Sequence, residues 1–281
     1  MTDTIDIDGV RIAYEDSGGP GRPFVLVHGF TGNRHDFRSH YEALSELGRT
    51  VIYDQRGHGD TTDLGDPSAY RFDLLVRDLH LLLRALEIDR CDLLGHSMGG
   101  MIALRSALEH PENVASLVLM DTSARMPDGF MRMVFAAGGE LALREGMERL
   151  AEVARSLSAA DPRRPPASIR FENKAGVDAY WERHRQRMLA MDPAAFGALG
   201  TEMCDQEPLT ARLSEITCPT TIIVGDEDMP FVGPSAEMAA GIPDARLVVV
   251  AGAAHSPQLE EPEQWWSAIV EHLSRARGAI T

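Results

Sequence analysis

The stretch Gly95-His96-Ser97-Met98-Gly99 constrains this chain more than any other. It puts a serine inside G-x-S-x-G, after the apolar run Cys91 to Leu94 and before the helix-like run Met101 to Leu108. A strand, a sharp turn with serine at its apex and a helix would lift the Ser97 hydroxyl above the edge of a parallel sheet. Glycines on both sides let the backbone turn without a Cβ clash. The helix starting just past Ser97 offers unpaired N–H groups to a nearby anion. Serine alone is a weak nucleophile, so the motif demands a base and an orienting carboxylate elsewhere. The plainer meaning, an ordinary Gly/Ser turn, is disfavoured by the strand and helix on either side.

The rest of the chain supplies a sheet to carry that turn. Thr4 to Asp8 and Val10 to Tyr14 predict a hairpin turning at Asp8-Gly9. Short apolar runs at Phe24 to Val27, Thr50 to Tyr53, Cys91 to Leu94, Ser116 to Met120, Thr220 to Val224 and Leu247 to Val250 predict buried strands. Helical periodicity separates several of them, at Phe37 to Leu47 and at Leu74 to Leu86. Such alternation predicts an α/β fold, a mostly parallel central sheet with helices on both faces. One interruption breaks the pattern. From Met126 to Cys204 no good strand appears, and Pro162-Arg163-Arg164-Pro165-Pro166 splits a helical stretch. Its apolar residues include Phe130, Met131, Met133, Val134, Phe135, Met147, Trp181, Met188, Met191, Phe196 and Met203. Unbranched methionines suit an adaptable apolar surface. The expectation is a helical cap over residues 126–204, inserted into a core formed by residues 1–125 and 205–281. A plain helical subdomain packed for stability is the alternative.

Two late segments offer the base and the acid. His255 follows the last strand in Ala251-Gly252-Ala253-Ala254-His255-Ser256-Pro257. Imidazole, with an ordinary pKa of about 6.5, can take and return a proton near neutrality. The acidic loop Gly225-Asp226-Glu227-Asp228 follows the strand before it. A carboxylate there can hold the histidine tautomer and stabilise the imidazolium. Spacing leaves both Asp226 and Asp228 open, with Glu227 less suited. An oxyanion hole needs two backbone donors; Met98 N–H and, from His28-Gly29-Phe30, Phe30 N–H are the candidates.

Taken together, His28-Gly29-Phe30, Asp54-Gln55-Arg56-Gly57-His58-Gly59, the serine pentapeptide, the acidic loop and His255-Ser256-Pro257 make the chain resemble the α/β-hydrolase superfamily along nearly its whole length. The resemblance implies the α/β-hydrolase fold, a cap between the sixth and seventh strands, and a triad acid at the last position of G-x-x-D, which selects Asp228. Haloalkane dehalogenase-like and epoxide hydrolase-like members carry an aspartate nucleophile where this chain has Ser97. Ring-cleavage carbon–carbon hydrolases often carry asparagine before the serine and an aromatic residue after the late histidine. His96 and Ser256 stand there instead.

The expectation is therefore a serine esterase or lactonase using Ser97, His255 and Asp228, needing neither metal nor organic cofactor. A carbon–carbon hydrolase of ring-cleavage diketones is the alternative, and a non-catalytic small-molecule receptor a third reading. Asp54, Arg56 and His58 are expected to be scaffold, and Arg125 is a candidate for meeting a substrate carboxylate. The expected partner is a small ester or lactone with a largely apolar acyl portion; a homo-oligomer is left open. A formal net charge of -16 argues against nucleic acid and anionic membrane surfaces. No apolar run long enough to span a bilayer appears. Cys91, Cys204 and Cys218 lack metal-site or redox spacing. A cytoplasmic protein is expected.

Overall fold

The computed structural model describes residues 2–127 and 132–278. The N-terminal half runs β1 (Asp3–Ile7), β2 (Val10–Asp16), β3 (Phe24–Val27), α1 (Arg38–Glu46), β4 (Thr50–Tyr53), α2 (Phe72–Ala85), β5 (Cys91–His96), α3 (Met98–Glu109) and β6 (Val114–Met120). Among the described residues, helical segments follow before the next strand: α4 (Arg132–Ala160), which breaks at Gly146 with φ 87°, α5 (Pro166–Ala175), α6 (Val177–Leu189) and α7 (Pro193–Asp205). The chain ends with β7 (Thr220–Gly225), α8 (Met229–Gly241), β8 (Ala245–Val250), α9 (Pro257–Glu260) and α10 (Pro262–Arg277). The sequence reading named neither α8 nor α10. Pro234 inside α8 interrupts the usual helical signal there.

All strands join one sheet in the order β1-β2-β4-β3-β5-β6-β7-β8. β1 and β2 pair antiparallel with their neighbours, and every pairing from β4 to β8 is parallel. Asp8 and Gly9 both take positive φ, 49° and 83°, which turns the first hairpin tightly. Successive strand residues point to opposite faces, and along the central strands both faces are dry; edge strand β8 instead leaves Leu247 and Val249 exposed, against the buried strand expected there. Val25, Val27, Leu93, Leu117 and Ile222 pack with α2, α3 and α8 residues such as Leu79, Leu104 and Met238. Phe24, Leu26, Leu94, Val118 and Ile223 pack with Phe37, Leu44, Trp265 and Ile269 on the other face. This two-sided burial explains why the central strands read as unbroken apolar runs.

The helices between β6 and β7 form a third apolar cluster with α2 and α3. Met147, Met188, Met191, Phe196 and Leu199 pack there against Leu75, Met98 and Ile102. Most of the methionines therefore fill packing space. Met133 and Val134 are exposed, and Phe130 and Met131 lie outside the described residues. Buried Asp192 ties this insertion to the core. Its carboxylate accepts from Ala194 N–H at 2.9 Å as the α7 cap, from Gly65 N–H at 2.8 Å and from the Tyr70 hydroxyl. Gly59 N–H reaches the Ala190 carbonyl at 2.7 Å.

Candidate active site

β5 ends at His96 and α3 begins at Met98, leaving Ser97 alone between strand and helix. Its backbone sits at φ 54°, a left-handed conformation that costs a non-glycine residue about 1–3 kcal/mol. The surrounding packing holds it there. Ser97 N–H donates to the Met120 carbonyl at 2.9 Å, and the Thr122 hydroxyl donates to the Ser97 carbonyl at 2.6 Å. A Cβ at Gly95 would strike the Gly99 backbone, and one at Gly99 would strike the Val27 and His28 carbonyls. Both flanking glycines are thus required by close approach.

The loop after β8 carries His255 to this serine. His255 Nε2 lies 3.0 Å from Ser97 Oγ, and His255 Nδ1 lies 2.7 Å from Asp228 Oδ2. Burial alone would depress the His255 pKa. The Asp228 charge and hydrogen bond oppose this, with help from Glu260, and the net shift is upward. Buried Phe231 packs its ring 5.0 Å from the imidazole. The structure thus brings Ser97, His255 and Asp228 into one hydrogen-bonded line. Asp226 goes elsewhere: its carboxylate accepts from Gly252 N–H at 2.7 Å. Glu227 accepts from Ala167 N–H at 2.5 Å and pairs with Arg170 at 2.9 Å, fastening α5 to the loop.

Met98 opens α3, where the first N–H groups lack helical acceptors. Phe30 lies just beyond β3, separated from it by His28 and Gly29. A Cβ on Gly29 would come 3.1 Å from Ser97 Cβ, so this loop lies directly against the serine. His58 Nε2 donates to the Phe30 carbonyl at 2.6 Å and holds the loop in place. Asp54 and Arg56 do not line the cavity above the serine. Asp54 binds Arg34 and the Asp60 amide, and Arg56 makes a two-pronged pair with Asp78 at 2.6 Å.

That cavity measures about 360 Å³ and is lined by Ser97 and His255. Phe30, Phe135, Phe171 and Phe231 give it an apolar wall. Arg183, His184 and Arg187 also line it, all from α6. Arg187 Nη2 is 3.2 Å from Asp36, while its buried Nε has no hydrogen-bond partner among the described residues. Arg183 has no acidic partner among the described residues. The cavity is therefore part cationic, where the composition of the insertion suggests an apolar lining. Arg125 is not at this site; it pairs with Glu237 at 3.3 Å and lines a separate groove.

Sequence reasoning treated His96 only as the residue beside the serine. It is a strut. Its Nε2–H donates to the His255 carbonyl at 2.7 Å. Burial, then the nearby His255, pushes its pKa down to about 3, so the ring is neutral. The α6 arginines were also missed. Their i,i+4 spacing was the available signal, since it puts both on one helix face.

Comparison with known proteins matches residues 22–262 to the alpha/beta hydrolase fold family. The non-heme chloroperoxidase CPO-A1 of Kitasatospora aureofaciens is 30% identical over 259 residues, covering 88% of this chain and 90% of that protein. A proline iminopeptidase of Heyndrickxia coagulans is 25% identical over 289 residues, covering 96% and 97%. Among solved structures, the malate-bound thermophilic esterase of Thermogutta terrifontis aligns with a TM-score of 0.83 and 29% identity, covering 98% of this chain and 99% of that one. These relatives share a scaffold while their names span different chemistries. With the family match, the sheet order and the insertion between β6 and β7 in agreement, this chain belongs to the alpha/beta hydrolase fold family.

Proposed function

We propose that this protein is a serine hydrolase that cleaves a carboxylic ester or lactone through an acyl-enzyme. One observation carries the reading: Ser97 Oγ is 3.0 Å from His255 Nε2, whose other nitrogen is 2.7 Å from Asp228. In this reading His255 takes the Ser97 proton as the oxygen attacks the carbonyl carbon. The Phe30 and Met98 N–H groups receive the oxyanion; losing one such donor typically costs about 3 kcal/mol of transition-state stabilisation. His255 returns the proton to the leaving alkoxide, then activates water against the acyl-enzyme. Asp228 orients the ring and balances its transient charge. No step calls on a metal or an organic cofactor.

Residues 126–204 act as the cap in this reading. Phe135 and Met203 reach the cavity from it, and excluding water there strengthens each electrostatic contact. The substrate presents an apolar acyl body to the four phenylalanines. The esterase named among the structural neighbours supports an oxygen ester. Three free cysteines suit a reducing compartment, so we place the activity in the cytoplasm. No described helix is long and apolar enough to cross a membrane.

A second reading, carbon–carbon hydrolysis of a carboxylate-bearing diketone, is favoured by Arg183 and Arg187 in the cavity wall. An assay in excess chelator with p-nitrophenyl esters, lactones and a ring-fission diketone separates the two. Efficient ester or lactone turnover supports the first. Diketone cleavage with negligible ester and lactone turnover supports the second and overturns the first.

A further inference from the structure

We infer that Asp121 is a positioning residue whose carboxyl group bears a proton and donates it to the Asp228 carboxylate, locking the acid that orients His255. The inference rests on the triad reading above. Asp121 is the first residue after β6 and is fully buried. Its backbone takes φ 45°, a left-handed conformation, and its N–H donates to the Ile223 carbonyl at 2.9 Å. Oδ1 accepts from Gly225 N–H at 3.0 Å. Oδ2 is buried and has no hydrogen-bond partner among the described residues. A bare carboxylate oxygen in that position would be expensive to keep.

The neighbours say where a proton belongs. Carboxylate oxygens of Asp121 and Asp228 and a ring nitrogen of His255 lie within 4.8 Å of one another. Two buried carboxyl groups sharing one site repel when both are ionised, which favours a proton on one of them. Asp228 faces the imidazole at 2.7 Å, which favours its charged form. Among the described residues, Asp121 has one amide donor and no cation paired with it. Burial raises its pKa well above the usual carboxylate value, and the Asp228 and Glu260 charges raise it further. A proton on Oδ2 resolves both problems. It satisfies the orphaned oxygen and turns like-charge repulsion into a hydrogen bond. Asp228, held from a second side, keeps its remaining lone pairs on His255 Nδ1–H.

Asp121→Asn and Asp121→Ala test this, because the Asn amide can donate where a neutral carboxyl would. Asn should keep kcat/KM near wild type, with the acid limb of the pH profile unmoved. Ala should lower kcat with KM little changed, by roughly 10–100-fold, the scale for removing outer-shell partners of metal ligands. Ala should also shift the acid limb. Infrared spectroscopy of the wild-type protein at neutral pH reads the proton without turnover: a buried protonated-carboxyl C=O band is expected, absent in Asp121→Asn. The inference is overturned by Asn being as impaired as Ala, by Ala matching wild type, by the absence of that band, or by a chelator-sensitive activity that would make the cluster a metal site. Undiminished turnover in Ser97→Ala would sink the triad reading instead, and leaves the infrared result to be judged separately.

Discussion

Asp226, Glu227 and Asp228 are consecutive carboxylates with three separate tasks, which makes this loop a sharp test of the site. Asp226 ties down Gly252, Glu227 holds α5, and Asp228 meets His255. Asp228→Asn should lower kcat by about 10⁴-fold, the scale for a wrong-tautomer triad. Asp226→Asn should cost little, and steady-state kinetics of the pair decides between them. Spacing alone left the two aspartates open, because which carboxylate points inward depends on a turn that closes only when β7 and β8 pair. The glycines around Ser97, in contrast, were legible, since close backbone approach leaves a direct mark in sequence. His255 sets a pH dependence of known sign. The base must be neutral, and its pKa lies above the ordinary 6.5. The acid limb of kcat/KM should therefore have a midpoint above 6.5, with activity rising as pH rises through it.

At the scale of elements, α6 brings Arg183, His184 and Arg187 to the cavity wall. Arg187 lies close enough to lower the proton affinity of both His255 and His96, so its charge reaches the reacting groups. A charge-assisted hydrogen bond is worth about 1.5–3 kcal/mol, or roughly 10- to 100-fold in kcat/KM. Arg187→Ala should cost that much for substrates carrying a carboxylate and far less for neutral esters. Equal loss on both would assign Arg187 to holding Asp36 and α6 instead. The strands were readable because two-sided burial writes them as apolar runs. The insertion was readable as helical but not as a surface. Its methionines mostly pack against α2 and α3, and its arginines line the cavity above Ser97. Periodicity reports which helix face is apolar; it does not report how several helices dock over a sheet edge.

Across the whole molecule, several histidines are stored neutral. Burial holds His96 down to about 3, and His184 and His272 down to about 4, against an ordinary value of 6.5. In the unfolded chain they would protonate sooner, so the unfolded state binds more protons between those values. The contribution of these three histidines is fully present above pH 6.5 and falls as pH drops from there toward about 4, while the raised Asp121 and His255 act in the opposite sense. Urea midpoints of the wild type and His272→Gln across that range isolate one of them: the wild type should lose stability relative to the variant as pH falls, and a constant difference would contradict it. Buried pairs such as Arg56–Asp78 and Arg34–Asp54 hold the scaffold that carries the His28-Gly29-Phe30 loop. In the proposed reading, the architecture serves to hold Ser97 in a strained turn beside His255. Active-site titration tests that claim most directly. An activated ester or a fluorophosphonate should acylate or phosphonylate one residue per chain, identified by mass spectrometry as Ser97, with a burst equal to the enzyme concentration. Ser97→Ala should abolish the label while keeping the fold, and His255→Ala should slow it by several orders of magnitude. Label on another residue, or full turnover in Ser97→Ala, would contradict the account.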